Sequence, residues 1–222
     1  MDKLHAIKER HSVRQYINKP IEEKLIAELN KEIEEINNES GLSVQFVTNE
    51  PKAFNGIMAH YGKFNGVSNY FAMIGKSDKT LDEKVGYYGE RLVLKAQELG
   101  LNTCWVALTY KKVPEAYMVK KGEKLLLVIS VGYGETQGVA RKSKKPEAVS
   151  NISEESPEWF KAGVSAALLA PTAMNQQKFY FSYENGNVKA KNGLGFYSKV
   201  DLGIAKYHFE IGAQNSDFKW KN

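Results

Sequence analysis

Five consecutive residues near the start of the chain, Arg10-His11-Ser12-Val13-Arg14, bring together two guanidinium groups, an imidazole and a hydroxyl. An arginine fork donates two parallel hydrogen bonds to phosphate oxygens, and a neighbouring hydroxyl completes such a shell. The set suits a phosphate and the polar edge of a planar ligand, although the same residues also make an ordinary solvated basic patch. Other chemistries find less support. His5, His11, His60 and His208 show no paired spacing such as HExxH, and only Cys104 could join them, so no metal site is expected. A nucleophile elbow, G-x-S-x-G, is absent from the sequence. Gly132-Tyr133-Gly134-Glu135-Thr136-Gln137-Gly138 misses the dinucleotide fingerprint by one residue and precedes no amphipathic helix, so it reads as a strand-ending turn. Cys104 lies in an apolar run beside Trp105 and reads as a core thiol. No acid–base pair emerges, and no catalytic side chain is assigned.

The surrounding pattern predicts the elements that must hold these residues. Pro20 to Asn37 repeats Ile21, Leu25, Leu29, Ile33 and Ile36 at helical spacing, with Glu and Lys outward. Val44 to Thr48 and Asn69 to Gly75 read as strands. Thr80 and Glu83 have capping-box spacing ahead of a stripe of Leu81, Val85, Tyr88, Leu92, Ala96 and Leu99, which Gly100 ends. Thr103 to Leu108 and Leu125 to Val131 are continuously apolar, which predicts strands covered on both faces and central in a sheet. Beyond a linker-like stretch from Gly134 to Ser156, Ser156-Pro157 opens a helix with Phe160, Val164, Ala167 and Leu168, ending near Pro171. Asn185-Gly186 between Phe179–Glu184 and Asn187–Lys191 predicts a type I′ hairpin. Asp201 is expected to cap a last helix bearing Leu202, Ala205 and Phe209. Both parts thus show a helix, a strand and a long amphipathic helix.

Composition limits what such a chain can be. With 222 residues it holds one large domain or two small ones, and 42% hydrophobic residues are too many for a disordered chain. No apolar run reaches the ~20 residues needed to span a bilayer, so a membrane partner is not expected. A polar N-terminus and a single cysteine, which excludes an internal disulfide, point to a reducing cytoplasm. The formal charge of +5 suits an anionic ligand. Nucleic acid is not expected, because the aromatic residues fall at core positions rather than among the basic run Arg141, Lys142, Lys144 and Lys145.

Three segments carry a family resemblance. Arg10-His11-Ser12-Val13-Arg14-Gln15-Tyr16 resembles the R-[RH]-S-x-R-x-[FY] signature of the FMN-dependent nitroreductases. Ala170-Pro171-Thr172-Ala173-Met174-Asn175-Gln176-Gln177 is similar to their A-P-S-x-x-N-x-Q-P loop, and Glu98-Leu99-Gly100-Leu101-Asn102-Thr103-Cys104-Trp105-Val106 to their helix-end segment G-L-G-x-x-W-[IV]. The resemblance implies an α+β, nitroreductase-like fold of mostly antiparallel central sheets packed with helices. The order departs from the usual pattern: Asn37 to Leu42, where the A-P-S-x-x-N loop is ordinarily found, lacks it, and the motif stands in the second part. That arrangement resembles a subgroup whose single chain mimics the usual homodimer, a pseudo-dimer. It would make residues 1–222 one domain of two half-repeats, about 1–140 and 150–222, monomeric, with a homodimer as the alternative.

By the same resemblance, Arg10, Ser12 and Arg14 hold the phosphate and ribityl of FMN with His11 nearby. Arg141, Lys142 and Lys144 supply further phosphate charge. Pro171, Thr172, Ala173 and Asn175 line the isoalloxazine, and the turn after Trp105 passes close to the ring. Lys178-Phe179 replaces the proline and tryptophan expected after Gln177, which alters the substrate-side wall. The implied activity is ping-pong transfer from NAD(P)H through FMN to a nitroaromatic or quinone-like acceptor. The alternatives are a flavin-binding sensor or store, or a related flavin reduction such as dehalogenation or enoate reduction.

Overall fold

Alternating and helical apolar spacing resolves, in a computed structural model that describes residues 2–214 and 216–221, into an α+β fold. In chain order the elements are α1 (Lys3–Glu9), α2 (Glu23–Ser40), β1 (Gln45–Val47), α3 (Ile57–Tyr61), β2 (Tyr70–Lys76), α4 (Leu81–Glu98), β3 (Asn102–Val106) and β4 (Glu123–Gly132). After the crossover come α5 (Glu158–Ala167), β5 (Phe179–Glu184), β6 (Asn187–Asn192), α6 (Ser198–Gly212) and β7 (Lys219–Trp220). Two compact units are built from interleaved stretches. A sheet unit comprises Glu9–Leu81 and Arg91–Ala140, and a hairpin unit comprises Met1–Lys8, Asp82–Glu90 and Arg141–Asn222. The residues of α4 are therefore divided between the two.

In the sheet unit four antiparallel strands run in the order β1-β2-β4-β3. Tyr70, Ala72, Val128, Cys104 and Val106 share a buried cluster with Val13, Tyr16, Phe54 and Phe64. The alternate residues Phe71, Met73, Leu127 and Ile129 are buried as well. Continuous hydrophobicity in β2 and β4 thus reflects burial on both faces. The expectation that Thr103 to Leu108 would be central is corrected: β3 is an edge strand of this sheet. Its apolar character follows from burial of its faces, with Cys104 and Val106 in the core cluster, and Ser12 forms a parallel bridge to Thr103 on that edge. Arg91 ties α4 to α2 through Glu32, Glu35 and Glu39.

In the hairpin unit β5 and β6 pair antiparallel about Asn185-Gly186, both at positive φ as a type I′ turn requires, and β7 joins β6 in parallel. Helix α6 is buried on nearly every side rather than along one stripe. It meets the first half of α4 backbone to backbone, because a Cβ at Gly86 would strike the Val200 carbonyl and one at Gly203 the Glu83 carbonyl. Two expected caps are not formed. The Thr80 hydroxyl and amide both donate to Asp78 instead of closing a box with Glu83. Asp201 lies within the first turn of α6, one turn past the cap position, and its carboxylate turns to a neighbouring loop, where the Ala173 amide and Gln176 Nε2 donate to it. Helix α5 begins after Pro157 and ends at Ala167, while Ser156 accepts from the Ser153 amide rather than capping it.

His208 and Glu90 are both 0% exposed, with Nε2 2.8 Å from the carboxylate and Nδ1 3.1 Å from the Ala166 carbonyl. A carbonyl only accepts, so Nδ1 carries a proton, and a second proton lies between Nε2 and Glu90. Replacing one partner strands the other in the interior. His208→Leu is expected to cost about 3–5 kcal/mol in urea unfolding, and the double variant with Glu90→Leu should recover most of it.

Candidate functional site

Leaving α1, the chain enters the sheet unit as an extended segment whose backbone is claimed by three neighbours. The Val13 amide donates to the Thr103 carbonyl at 3.0 Å. Tyr16 and Asn65 exchange bonds with this stretch at 3.0 Å, from the Tyr16 amide to the Asn65 carbonyl and from the Asn65 amide to the Arg14 carbonyl. Ile17 donates to Tyr133 at 2.9 Å. The turn that follows β4 closes over the same segment: a Cβ at Gly134 would press on Val13 and one at Gly138 on His11. The Gly132–Gly138 turn, read from sequence as a plain strand ending, is thus part of what holds His11 to Val13.

Pinned in this way, Val13 and Tyr16 point into the core, where the Tyr16 hydroxyl meets Ser130 Oγ at 2.9 Å. Ser12 and Arg14 are exposed, His11 is half-buried and Arg10 is only 1% exposed. Burial pushes the Cys104 thiol up, opposed by Arg14, by a hydrogen bond with Ser12 and by Arg10. Three residues of the arginine signature therefore gather around one buried thiol on β3. Cys104 is a neutral landmark of the site.

Arg14 also lines an open pocket of about 360 Å³ with Tyr61, Lys63, Phe64, Trp105, Ala107 and Thr109. Its guanidinium lies 5.9 Å from the Phe64 ring centroid. The volume falls in the usual range for small-molecule sites, and two cations among aromatic walls suit a planar anionic ligand. Lys63, Tyr61 and Phe64 were not foreseen from sequence. Tyr61 ends α3, a five-residue helix without a motif, Lys63 and Phe64 follow it, and only the fold carries them to the Trp105 turn.

The other candidate residues lie in the hairpin unit. Arg141 donates to the Leu169 carbonyl, Ser143 to Leu168 at 3.0 Å, and Lys144 through its amide and Nζ to Gln177 at 2.7 and 3.0 Å. Asn175 Nδ2 donates to the Lys142 carbonyl at 2.9 Å. The basic run and the Pro171–Gln177 loop are thus brought together, with Arg141 and Lys144 bracing the loop and Lys142 exposed. Pro171 is buried, Thr172 and Ala173 are half-buried, and Asn175 is exposed. Met174, Asn175 and Gln177 all have φ between 45° and 52°. Such left-handed conformations cost on the order of 1 kcal/mol each and concentrate where a backbone must present itself to a ligand. Asp201 accepts from the Ala173 amide at 2.9 Å and from Gln176 Nε2 at 2.7 Å. Among the described residues, no group of three His, Cys, Asp or Glu could hold a metal ion, and no helix is long and apolar enough to cross a membrane.

Comparison with known proteins bears on this geometry. A family model described as "Putative TM nitroreductase" matches residues 2–213. No curated protein matches the chain. Among solved structures, one described as a putative nitroreductase from Thermotoga maritima has a TM-score of 0.65 at 24% identity, covering 94% of this chain and 82% of the other. A putative nitroreductase in complex with FMN from Desulfovibrio desulfuricans gives 0.55 at 14% identity, covering 71% and 99%. A nitroreductase family protein from Clostridium difficile gives 0.53 at 15%, covering 71% and 100%. At these identities the likeness shows the fold.

Burial pushes the Asp201 carboxyl up to about 6, with the Ala173 amide and Gln176 opposing it. Its unfolded value is near 3.8, so the folded chain holds a proton that the unfolded chain releases between those pH values. The stability this group contributes is greatest below about pH 4 and is lost as pH rises through 6. Relative to Asp201→Asn, the wild-type chain should lose about 2–3 kcal/mol of unfolding free energy between pH 4 and pH 7, measured by urea titration.

Proposed function

Since the chain belongs to the putative TM nitroreductase family, we propose that it is an FMN-dependent oxidoreductase that takes electrons from NAD(P)H and passes them to a small nitroaromatic or quinone-like acceptor. The observation that carries this reading is the pocket of the sheet unit, where Arg14 and Lys63 stand among Tyr61, Phe64 and Trp105. The donor set fits FMN. Exposed arginine and hydroxyl groups at Arg14 and Ser12 match phosphate and ribityl oxygens, and the aromatic walls match a flat ring. The FMN complex among the structural relatives supports the same choice of cofactor.

When bound, the flavin supplies the redox chemistry, hydride acceptance and delivery of electrons to a second substrate. The residues of this chain bind and orient it. Ser12 and Arg14 hold the anionic end, with Arg10 behind them and His11 alongside. Lys63 adds positive charge to the lining, which favours a ring that gains negative charge on reduction. In the hairpin unit, Pro171, Thr172, Ala173 and Asn175 are the second set assigned to the flavin, backed by Arg141, Lys142 and Lys144. No side chain need act as acid or base. The half-repeat reading, with one FMN per monomeric chain, belongs to the same proposal, as does a cytoplasmic setting.

Purified protein should be yellow with an oxidised-flavin spectrum, or should take up FMN on titration, and mixing with NADH or NADPH should bleach it. Colourless protein that takes up no FMN would sink the reading. Arg14→Ala, which removes an exposed side chain, should weaken FMN binding by roughly 10- to 100-fold, the loss of about 1.5–3 kcal/mol of charge-assisted bonding. Arg10 is the poorer probe, because its replacement leaves a hole in the interior.

A further inference from the structure

The Pro171–Gln177 loop holds left-handed residues and sends two of its donors to one buried carboxylate. Asp201 is 2% exposed. One of its oxygens accepts the Ala173 amide and the other accepts Gln176 Nε2, and that same nitrogen donates to the Phe196 carbonyl at 2.8 Å. Gln176 therefore works with one amide orientation, NH2 toward both Asp201 and Phe196. Its backbone sits between Asn175 and Gln177, both in the left-handed region. An ionised carboxylate offers acceptors only, which is what two donors require. A protonated carboxyl keeps only one oxygen free of a proton, so one of the two donors would face a hydroxyl. Where that hydroxyl faces Gln176, the amide turns its oxygen toward Asp201 and gives up the bond to Phe196.

The ionisable groups on the elements around it leave this logic intact. Lys206 on α6 is paired with Glu83 of α4 at 2.8 Å, and Lys144 with the Gln177 carbonyl. Asp82 of α4 acts on Tyr197. Lys142, Lys178 and Lys199 are exposed. The interactions that set the ionisation of Asp201 are its burial, the Ala173 amide and Gln176.

We propose that Asp201 is the positioning residue of the Pro171–Gln177 loop: its carboxylate fixes the orientation of Gln176 and ties the loop to the Phe196 backbone, so that neutralising it loosens the loop and weakens flavin binding. The effect on flavin rests on the assignment of this loop to the cofactor made above, whereas the clamp itself is a property of the flavin-free chain.

The two are tested separately. In ¹⁵N NMR of flavin-free protein from pH 5 to 8, the Ala173 amide and the Gln176 side-chain amide should titrate together with a midpoint near 6, and neither should move in Asp201→Asn. Wild-type resonances that stay fixed across this range would overturn the clamp. In FMN titrations followed by flavin fluorescence, the phosphate's own ionisation near ~6 is common to every variant. Beyond that shared change, wild-type affinity should fall about 10-fold between pH 7.5 and 5, the loss of one charge-assisted contact. Asp201→Asn, which mimics the neutral acid, should bind at the weaker level throughout. Gln176→Met keeps the carboxylate but removes the tether, and should bind like Asp201→Asn. Equal affinity of all three proteins at every pH would overturn the positioning role. Absence of FMN binding with the amide titration intact would overturn the assigned function while supporting the clamp.

Discussion

A buried backbone must find partners for its amides and carbonyls, and the segment from Ser12 to Ile17 shows what that requirement accomplishes. The stretch belongs to no strand of the sheet, yet Thr103, Asn65 and Tyr133 take up its polar groups one after another. Those bonds fix which side chains turn inward. Val13 and Tyr16 fill the core, and Arg14 is left on the pocket wall. One of these bonds also meets the outer edge of β3 at Thr103. The position of the arginine on the pocket wall depends on this one set of contacts.

In the hairpin unit the equivalent constraint is burial of charge. Helix α6 carries both Asp201 and His208 into places water does not reach, and each is met by donors or acceptors from another element. The glycine contact between α4 and α6 brings the helices near enough for Glu90 to reach His208. These groups favour one packing of the helices over others, since any shift strands a buried polar atom. Asp201 has the further consequence of accepting two donors from a loop that holds left-handed residues.

The chemistry assigned to this chain asks little of its side chains beyond binding. A flavin carries its own redox centre, so the proposed activity asks for no acid–base pair from the chain. What the protein must supply is a pocket of matched charge, a flat wall and a rigid frame. Arg14, Lys63, Phe64 and Trp105 have those attributes, and they come from three separate stretches of sequence.

The residue pattern by itself determined the elements whose signals are local. The helix over Glu23–Ser40, the strands β2 and β4, and the type I′ turn at Asn185-Gly186 follow from periodicity and turn chemistry that act within a few residues. The arginine signature and the Pro-Thr-Ala-Met-Asn loop were legible as motifs for the same reason. Where a side chain goes when it has a choice of partners was decided by tertiary structure. Thr80 stands at the cap of α4 and Asp201 in the first turn of α6, but Asp78 and the Ala173–Gln176 loop take up their side chains. Lys63 joined the pocket, and His208 found Glu90, only because contacts distant in sequence brought them there. Local spacing constrains a dihedral or a face, whereas a hydrogen-bond partner or a pocket wall is a property of residues that meet only after the chain has folded.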